Sequence, residues 1–137
     1  MGTYNLFLDD IRTPMLCLNY RTKYMPESRV IYGLEDWVIV RNHNEFIEKI
    51  CDEFNIGNFP KIVSFDHDLA DIHYDSSTYS EHFSYYEETG ADSAKFLVNF
   101  CIDNKLDLPK CYIHSSNTVG AERIYENLQD YYRYKNQ

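Results

Sequence analysis

Apolar runs of strand length alternate with helical stripes along this chain. Residues 3–8 and 37–41 read as strands rich in β-branched and aromatic side chains. Asn42 and Glu45 have the spacing of a helix capping box, and Phe46, Ile47, Ile50, Cys51 and Phe54 fall on one stripe, predicting a helix over about 44–54. Gly57 and Pro60 break it, and 61–65 is a third strand whose near-continuous apolar character suits a sheet covered on both faces. Thr89-Gly90 opens a second helix with Ala94, Leu97, Val98 and Cys101 at helical spacing. Pro109 precedes a fourth strand, 110–114, and Asn117 or Thr118 caps a last helix with Ala121, Ile124, Tyr125 and Leu128 on one side.

This alternation predicts an α/β fold, three layers deep, around a mainly parallel four-stranded sheet. Right-handed crossovers bring the carboxyl ends of the strands to one edge, where open α/β sheets place their ligands. At 137 residues the chain is one domain, 1–137. Two stretches exceed this minimal unit. Residues 15–33, with Arg21, Lys23 and Arg29 among tyrosines, read as a hairpin or long loop, and 71–88 is longer than most connections in compact domains. Neither fits the alternating unit.

Composition narrows the function classes. The formal net charge of −9 disfavours long duplex nucleic acid, and residues 1–41 balance five basic against five acidic side chains, so the whole excess lies after Arg41. That favours a small or terminal phosphate as ligand. No apolar stretch approaches the length of a membrane span, and the first residues run into the strand pattern without a signal sequence, so the chain reads as cytoplasmic and without a membrane partner. Cys17, Cys51, Cys101 and Cys111 lack metal-binding spacing and read as reduced structural thiols.

The chemistry gathers where strands end. Asp9 and Asp10 close the first strand and Asp66 the third, with Asp68 two residues on. Carboxylates brought this close repel unless a cation or proton intervenes, so the set points to Mg²⁺. Singly, Asp9 or Asp10 is also read as capping the turn toward Pro14. His114-Ser115-Ser116-Asn117 leads into a helix whose first N–H groups suit an anion. His67 lies between Asp66 and Asp68, and two imidazoles at one phosphate can divide the general-acid and general-base roles. Arg12 and Arg41 suit phosphate clamping, with surface ion pairing as the alternative for each. His43, His73 and His82 read as loop or surface residues. Tyr74, Tyr79, Phe83, Tyr85 and Tyr86 crowd the long loop, ready either to stack on a base or to pack on the domain.

Taken together, Leu6-Phe7-Leu8-Asp9-Asp10-Ile11-Arg12-x-Pro14, Trp37-Val38-Ile39-Val40-Arg41, Ser64-Phe65-Asp66-His67-Asp68-Leu69, Thr89-Gly90-Ala91-Asp92 and His114-Ser115-Ser116-Asn117-x-x-Gly120-Ala121-Glu122-Arg123-Ile124 resemble the cyclic-phosphate-processing receiver-like domains. These are small bacterial and phage relatives of response-regulator receivers. The resemblance implies a receiver-like, flavodoxin-like sheet, with Asp9, Asp10 and Asp66 as the Mg²⁺ pocket and Ser115 as a phosphate-contacting hydroxyl. It also implies His67 and His114 as the catalytic pair on a cyclic phosphate of a nucleotide or RNA end, in a bacterial or phage-infected cell. The chain ends after the fourth β-α unit, so the fifth receiver strand and its lysine have no evident counterpart, and against the family's compact form the resemblance implies that 15–33 and 71–88 are insertions. The expected function is a cyclic-phosphate phosphoesterase with Arg12, Arg41, Ser115, Ser116 and Asn117 on substrate and Asp68 supporting the metal. The alternatives are a nucleotide-signal binding protein without turnover, and a degenerate receiver serving as a protein-interaction module.

Overall fold

The computed structural model describes residues 1–19, 22–69 and 88–137. Four strands, β1 (Gly2–Leu8), β2 (Trp37–Val40), β3 (Asn58–Phe65) and β4 (Lys110–Ile113), form one sheet in the order β2-β1-β3-β4. Every pairing is parallel. The helices are α1 (Ile31–Leu34), α2 (His43–Asn55), α3 (Gly90–Asp103) and α4 (Thr118–Lys135), and a 3₁₀ helix spans Pro14–Asn19. This is the receiver-like α/β architecture. Among the described residues there is no fifth strand.

The capping signals work as their chemistry requires. Asn42 Oδ1 accepts from the Glu45 N–H at 2.8 Å, and Glu45 returns a carboxylate oxygen to the Arg41 N–H at 2.9 Å. At α3, Thr89 Oγ1 accepts from the Ala91 N–H while Asp92 accepts from the Thr89 N–H. β3 begins earlier than its apolar run suggests. Pro60 lacks an N–H, yet it is tolerated because the β1–β3 register shifts between Tyr4 and Asn5, skipping Lys61.

Alternation along the strands sorts side chains to two faces. Leu6, Leu8, Val40, Val63, Phe65 and Ile113 join the main core with Phe46 and Ile50 of α2, Leu97 of α3 and Ile124 of α4. The opposite face carries Phe7, Trp37 and Ile39, covered by Cys17, Leu18, Met25, Ile31 and Tyr32. The segment expected as an insertion at 15–33 therefore makes this second covering layer within the β1–β2 crossover. It also closes a sheet edge: the Ile113 N–H donates to the Tyr24 carbonyl, and Thr22 Oγ1 donates to the Ile113 carbonyl at 2.8 Å. The stretch expected as an insertion at 71–88 lies outside the described residues, save Glu88. The cysteines are free thiols, and burial pushes Cys17 and Cys101 up to about 12. No helix among the described residues is long and apolar enough to cross a membrane.

Candidate active site

The face alternation that places Phe7 also places Asp9, one pleat further along β1, beside the ends of β3 and β4. Asp9 is fully buried and its carboxylate accepts from four directions. Oδ1 takes the Ile11 and Arg12 N–H groups at 3.0 and 2.8 Å, and Oδ2 takes Arg12 Nε at 2.8 Å and His114 Nε2 at 3.1 Å. Burial opposes its ionisation. The bonds from His114 and the two N–H groups outweigh that, so its carboxyl lies well below the usual carboxylate range.

His114 has no exposed surface. Burial holds the ring neutral, below its ordinary pKa, although Asp9 pulls the other way. Because ionised Asp9 can only accept, Nε2 carries the proton and Nδ1 is the acceptor. Ser64 Oγ, 2.7 Å from Nδ1, must then donate to it, and Tyr32 OH, 2.8 Å from Ser64 Oγ, donates in turn. The result is a directed chain: Tyr32 to Ser64 to His114 to Asp9. Phe7 stacks on the imidazole at 4.3 Å with 7° between planes, fixing its orientation. Sequence reasoning missed Ser64, Tyr32 and Phe7 as partners of this histidine. The available signal was Ser64 itself, a hydroxyl inside an otherwise apolar strand.

Asp66, at the end of β3, faces Asp9 across Arg12. The guanidinium straddles the two acids, with NH2 3.0 Å from Asp66 Oδ1. Burial and the negative charge of Asp9 push the Asp66 carboxyl up to about 7, against the opposing pull of Arg12 and the His67 N–H. Asp9, Asp10 and Asp66 offer oxygens all within 4.8 Å of one another. Three hard oxygen donors at this spacing fit a divalent cation such as Mg²⁺. Asp68 falls outside this group. It is exposed, and its carboxylate meets His67 Nδ1 at 3.0 Å and the Asn117 amide at 3.3 Å.

His67 is buried against the start of α4. A methyl group on Gly120 would lie 2.2 Å from its Cγ, so only glycine lets the ring sit there. Nδ1 is held by Asp68, while Nε2 is enclosed with no hydrogen-bond partner among the described residues. A buried polar atom left in this way suits an incoming donor. Ser115 is buried and its Oγ accepts from the Asn117 N–H, whereas Ser116 is exposed. Asn117 is the cap of α4, its Oδ1 accepting from the Gly120 N–H at 2.9 Å. Arg41 donates to the Asp9 and Arg12 carbonyls at 3.2 and 2.8 Å, so it braces the acid-bearing loop.

His43 bridges two helix starts, Nδ1 meeting Ser93 Oγ at 2.8 Å and Nε2 meeting Glu88 at 3.0 Å. His73, His82 and the aromatic residues Tyr74, Tyr79, Phe83, Tyr85 and Tyr86 lie outside the described residues.

The sequence model of one protein family, described as the cyclic-phosphate processing receiver domain, matches residues 4–130. No curated protein and no solved structure matches the chain.

Proposed function

The chain belongs to the cyclic-phosphate processing receiver family, and from that premise we propose that it is a phosphoesterase opening cyclic phosphates of nucleotides or RNA ends. The observation that carries this reading is the crevice itself, where an acid cluster fit for a cation lies on the same strand ends as a histidine whose Nε2 has no partner among the described residues.

Asp68 orients the His67 ring by accepting from Nδ1, which leaves Nε2 as the basic atom. In the proposed reaction Nε2 takes a proton from water as its oxygen bonds to phosphorus. The ring P–O bond breaks, and the proton passes to the departing ribose oxygen. The product is an open monoester, and no further reactant is consumed. Asp10 and Asp66, with Asp9, would hold Mg²⁺, which would neutralise charge on the phosphate oxygens. Ser115, Ser116 and Asn117 border the phosphate at the start of α4. Arg12 is the cation nearest the acids and the candidate clamp.

His114 enters differently. Buried with both ring nitrogens engaged, it acts on the site through Asp9, as a positioning residue. That burial also favours a second reading, capture of the nucleotide without turnover, since it withdraws one of the two imidazoles from direct proton transfer.

One assay separates the readings. The protein is incubated with 2′,3′- and 3′,5′-cyclic mononucleotides and with cyclic oligonucleotides, with and without Mg²⁺. Ring opening of at least one of them is expected, falling about 100-fold or more in His67→Ala, as for loss of a general base. Tight binding with intact ligand recovered establishes capture instead. Turnover unchanged in His67→Ala overturns the assigned mechanism.

A further inference from the structure

A cavity of about 450 Å³ opens by the outer edge of β4; Ser115 and Ser116, placed above at the phosphate, line it, and the rest of its wall is not used by that chemistry. Thr22, Lys23 and Tyr24 of the covering segment form one wall, and Ser115, Thr118 and Glu122 at the start of α4 form the other. Ser115 and Ser116 thus belong to both, so the cavity adjoins the proposed phosphate position. A second hollow of about 250 Å³ shares Lys23 and Tyr24 and continues past Tyr125 and Tyr132.

The aromatic wall is braced from behind. Tyr24 stacks on Tyr125 at 5.0 Å with 27° between planes, and its hydroxyl donates to Glu122 at 2.8 Å. The Lys23 ammonium, on a side chain 70% exposed, lies 5.0 Å over the Tyr24 ring and 3.0 Å from Glu122. The exposed Lys23 side chain must swing aside for a base to take its place over the Tyr24 ring, opposite the support of Tyr125.

We propose that this cavity is a nucleoside subsite, taking the base and sugar of the nucleotide whose phosphate sits in the crevice. The phosphate half of this inference rests on the cyclic-phosphate reading; the base half rests on the cavity alone. Its volume lies in the range of small-molecule sites. Bases of any identity gain from stacking on an aromatic face. Glu122 and Lys23 line the same cavity and offer an acceptor and a donor once their own ion pair opens. The uncharged portion of a nucleotide therefore matches the cavity, and the charged portion matches the strand ends next to it.

The test is an NMR titration of the whole protein with adenosine, inorganic phosphate and adenosine 2′,3′-cyclic phosphate. Adenosine alone is expected to move the amide signals of Thr22, Tyr24 and Thr118 but not those of Asp9 or Asp66. Tyr24→Leu keeps an apolar contact with Tyr125 while removing the stacking face, and should weaken adenosine and the cyclic nucleotide about tenfold, with phosphate binding unchanged. Tyr24→Phe should bind both as the wild type does. Thr118→Trp, filling the cavity from an exposed position, should also block adenosine. The subsite is overturned if millimolar adenosine moves none of these signals, or if Tyr24→Leu binds the nucleotide as tightly as the wild type. Adenosine bound in the cavity with no ring opening of any cyclic phosphate would refute the phosphoesterase reading and still support the subsite.

Discussion

Two buried acids 57 positions apart in the sequence face each other across one guanidinium, and their environments drive them in opposite directions. Asp9, fed by four donors, is ionised at any ordinary pH; Asp66, desolvated beside that charge, titrates near 7. The consequences for stability have opposite signs. A carboxyl whose folded pKa is raised stabilises fully below its unfolded value near 3.8, and this contribution is lost as pH rises through about 7. The depressed Asp9 contributes above the same unfolded value and loses that contribution as the pH falls. Metal-free protein is therefore expected to gain from Asp66→Asn above pH 7, by at most about 4 kcal/mol for a shift of some three pH units. Denaturant midpoints at pH 5 and pH 8 check this: the gain should appear at pH 8 and shrink at pH 5. Ser64→Ala tests the buried chain behind Asp9. It leaves the Tyr32 hydroxyl and His114 Nδ1 without each other's bridge, a loss of roughly 1–3 kcal/mol. The urea midpoint should fall with an unchanged m-value. An unchanged midpoint would show that water replaces the serine.

At the scale of elements, the ends of β1, β3 and β4 were legible in the sequence because each of these apolar runs stops at an acid or histidine, and the caps of α2 and α3 because their side chains act locally. The β1–β2 crossover was not legible. Its 3₁₀ helix and the single turn of α1 have no periodicity of their own, and their conformation comes from Cys17 and Tyr32 packing on Phe7, a contact between distant residues. The start of β3 was hidden for another reason, since Pro60 reads as a breaker until the register shift opposite it is known. Asp68, the fourth acid of the set and expected to support the metal, has its carboxylate against His67 and Asn117, contacts that its spacing from Asp66 does not reveal. The start of α4 carries a further prediction. Gly120→Ala would put a methyl group against the His67 ring without touching Asp9, Asp10 or Asp66. Cyclic-phosphate turnover should drop at least tenfold, in the range for misplacing a general base, while the rise in Tm on adding Mg²⁺ stays as in the wild type. Parallel loss of both would mean that α4 as a whole had moved.

The whole molecule carries a strong excess of acid, and its proposed ligand site draws both on the charge-balanced stretch up to Arg41 and on the strand ends after it. All nine excess negative charges lie after Arg41, whereas β1, Arg12, the covering segment with Lys23, and Arg41 itself lie before it. A polyanion approaching broadly meets the acidic part, and a single phosphate approaching the strand ends meets Arg12 and the start of α4. A long duplex is therefore expected to show no measurable binding at physiological salt, where only a basic face could retain it. A divalent cation is drawn the other way, by the general field and by the acid cluster together. At Mg²⁺ concentrations 100-fold above its dissociation constant, linkage adds about 2.7 kcal/mol to folding stability, a Tm rise on the order of 10 °C for a domain of this size. The rise should be absent in Asp10→Asn. Matching the ionic strength with NaCl separates specific binding from screening: screening alone would lift the wild type and the variant equally in either salt. A site-bound ion lifts only the wild type, only with the divalent salt, and more at pH 8 than at pH 5, because Asp66 must give up its proton before it can serve as a ligand.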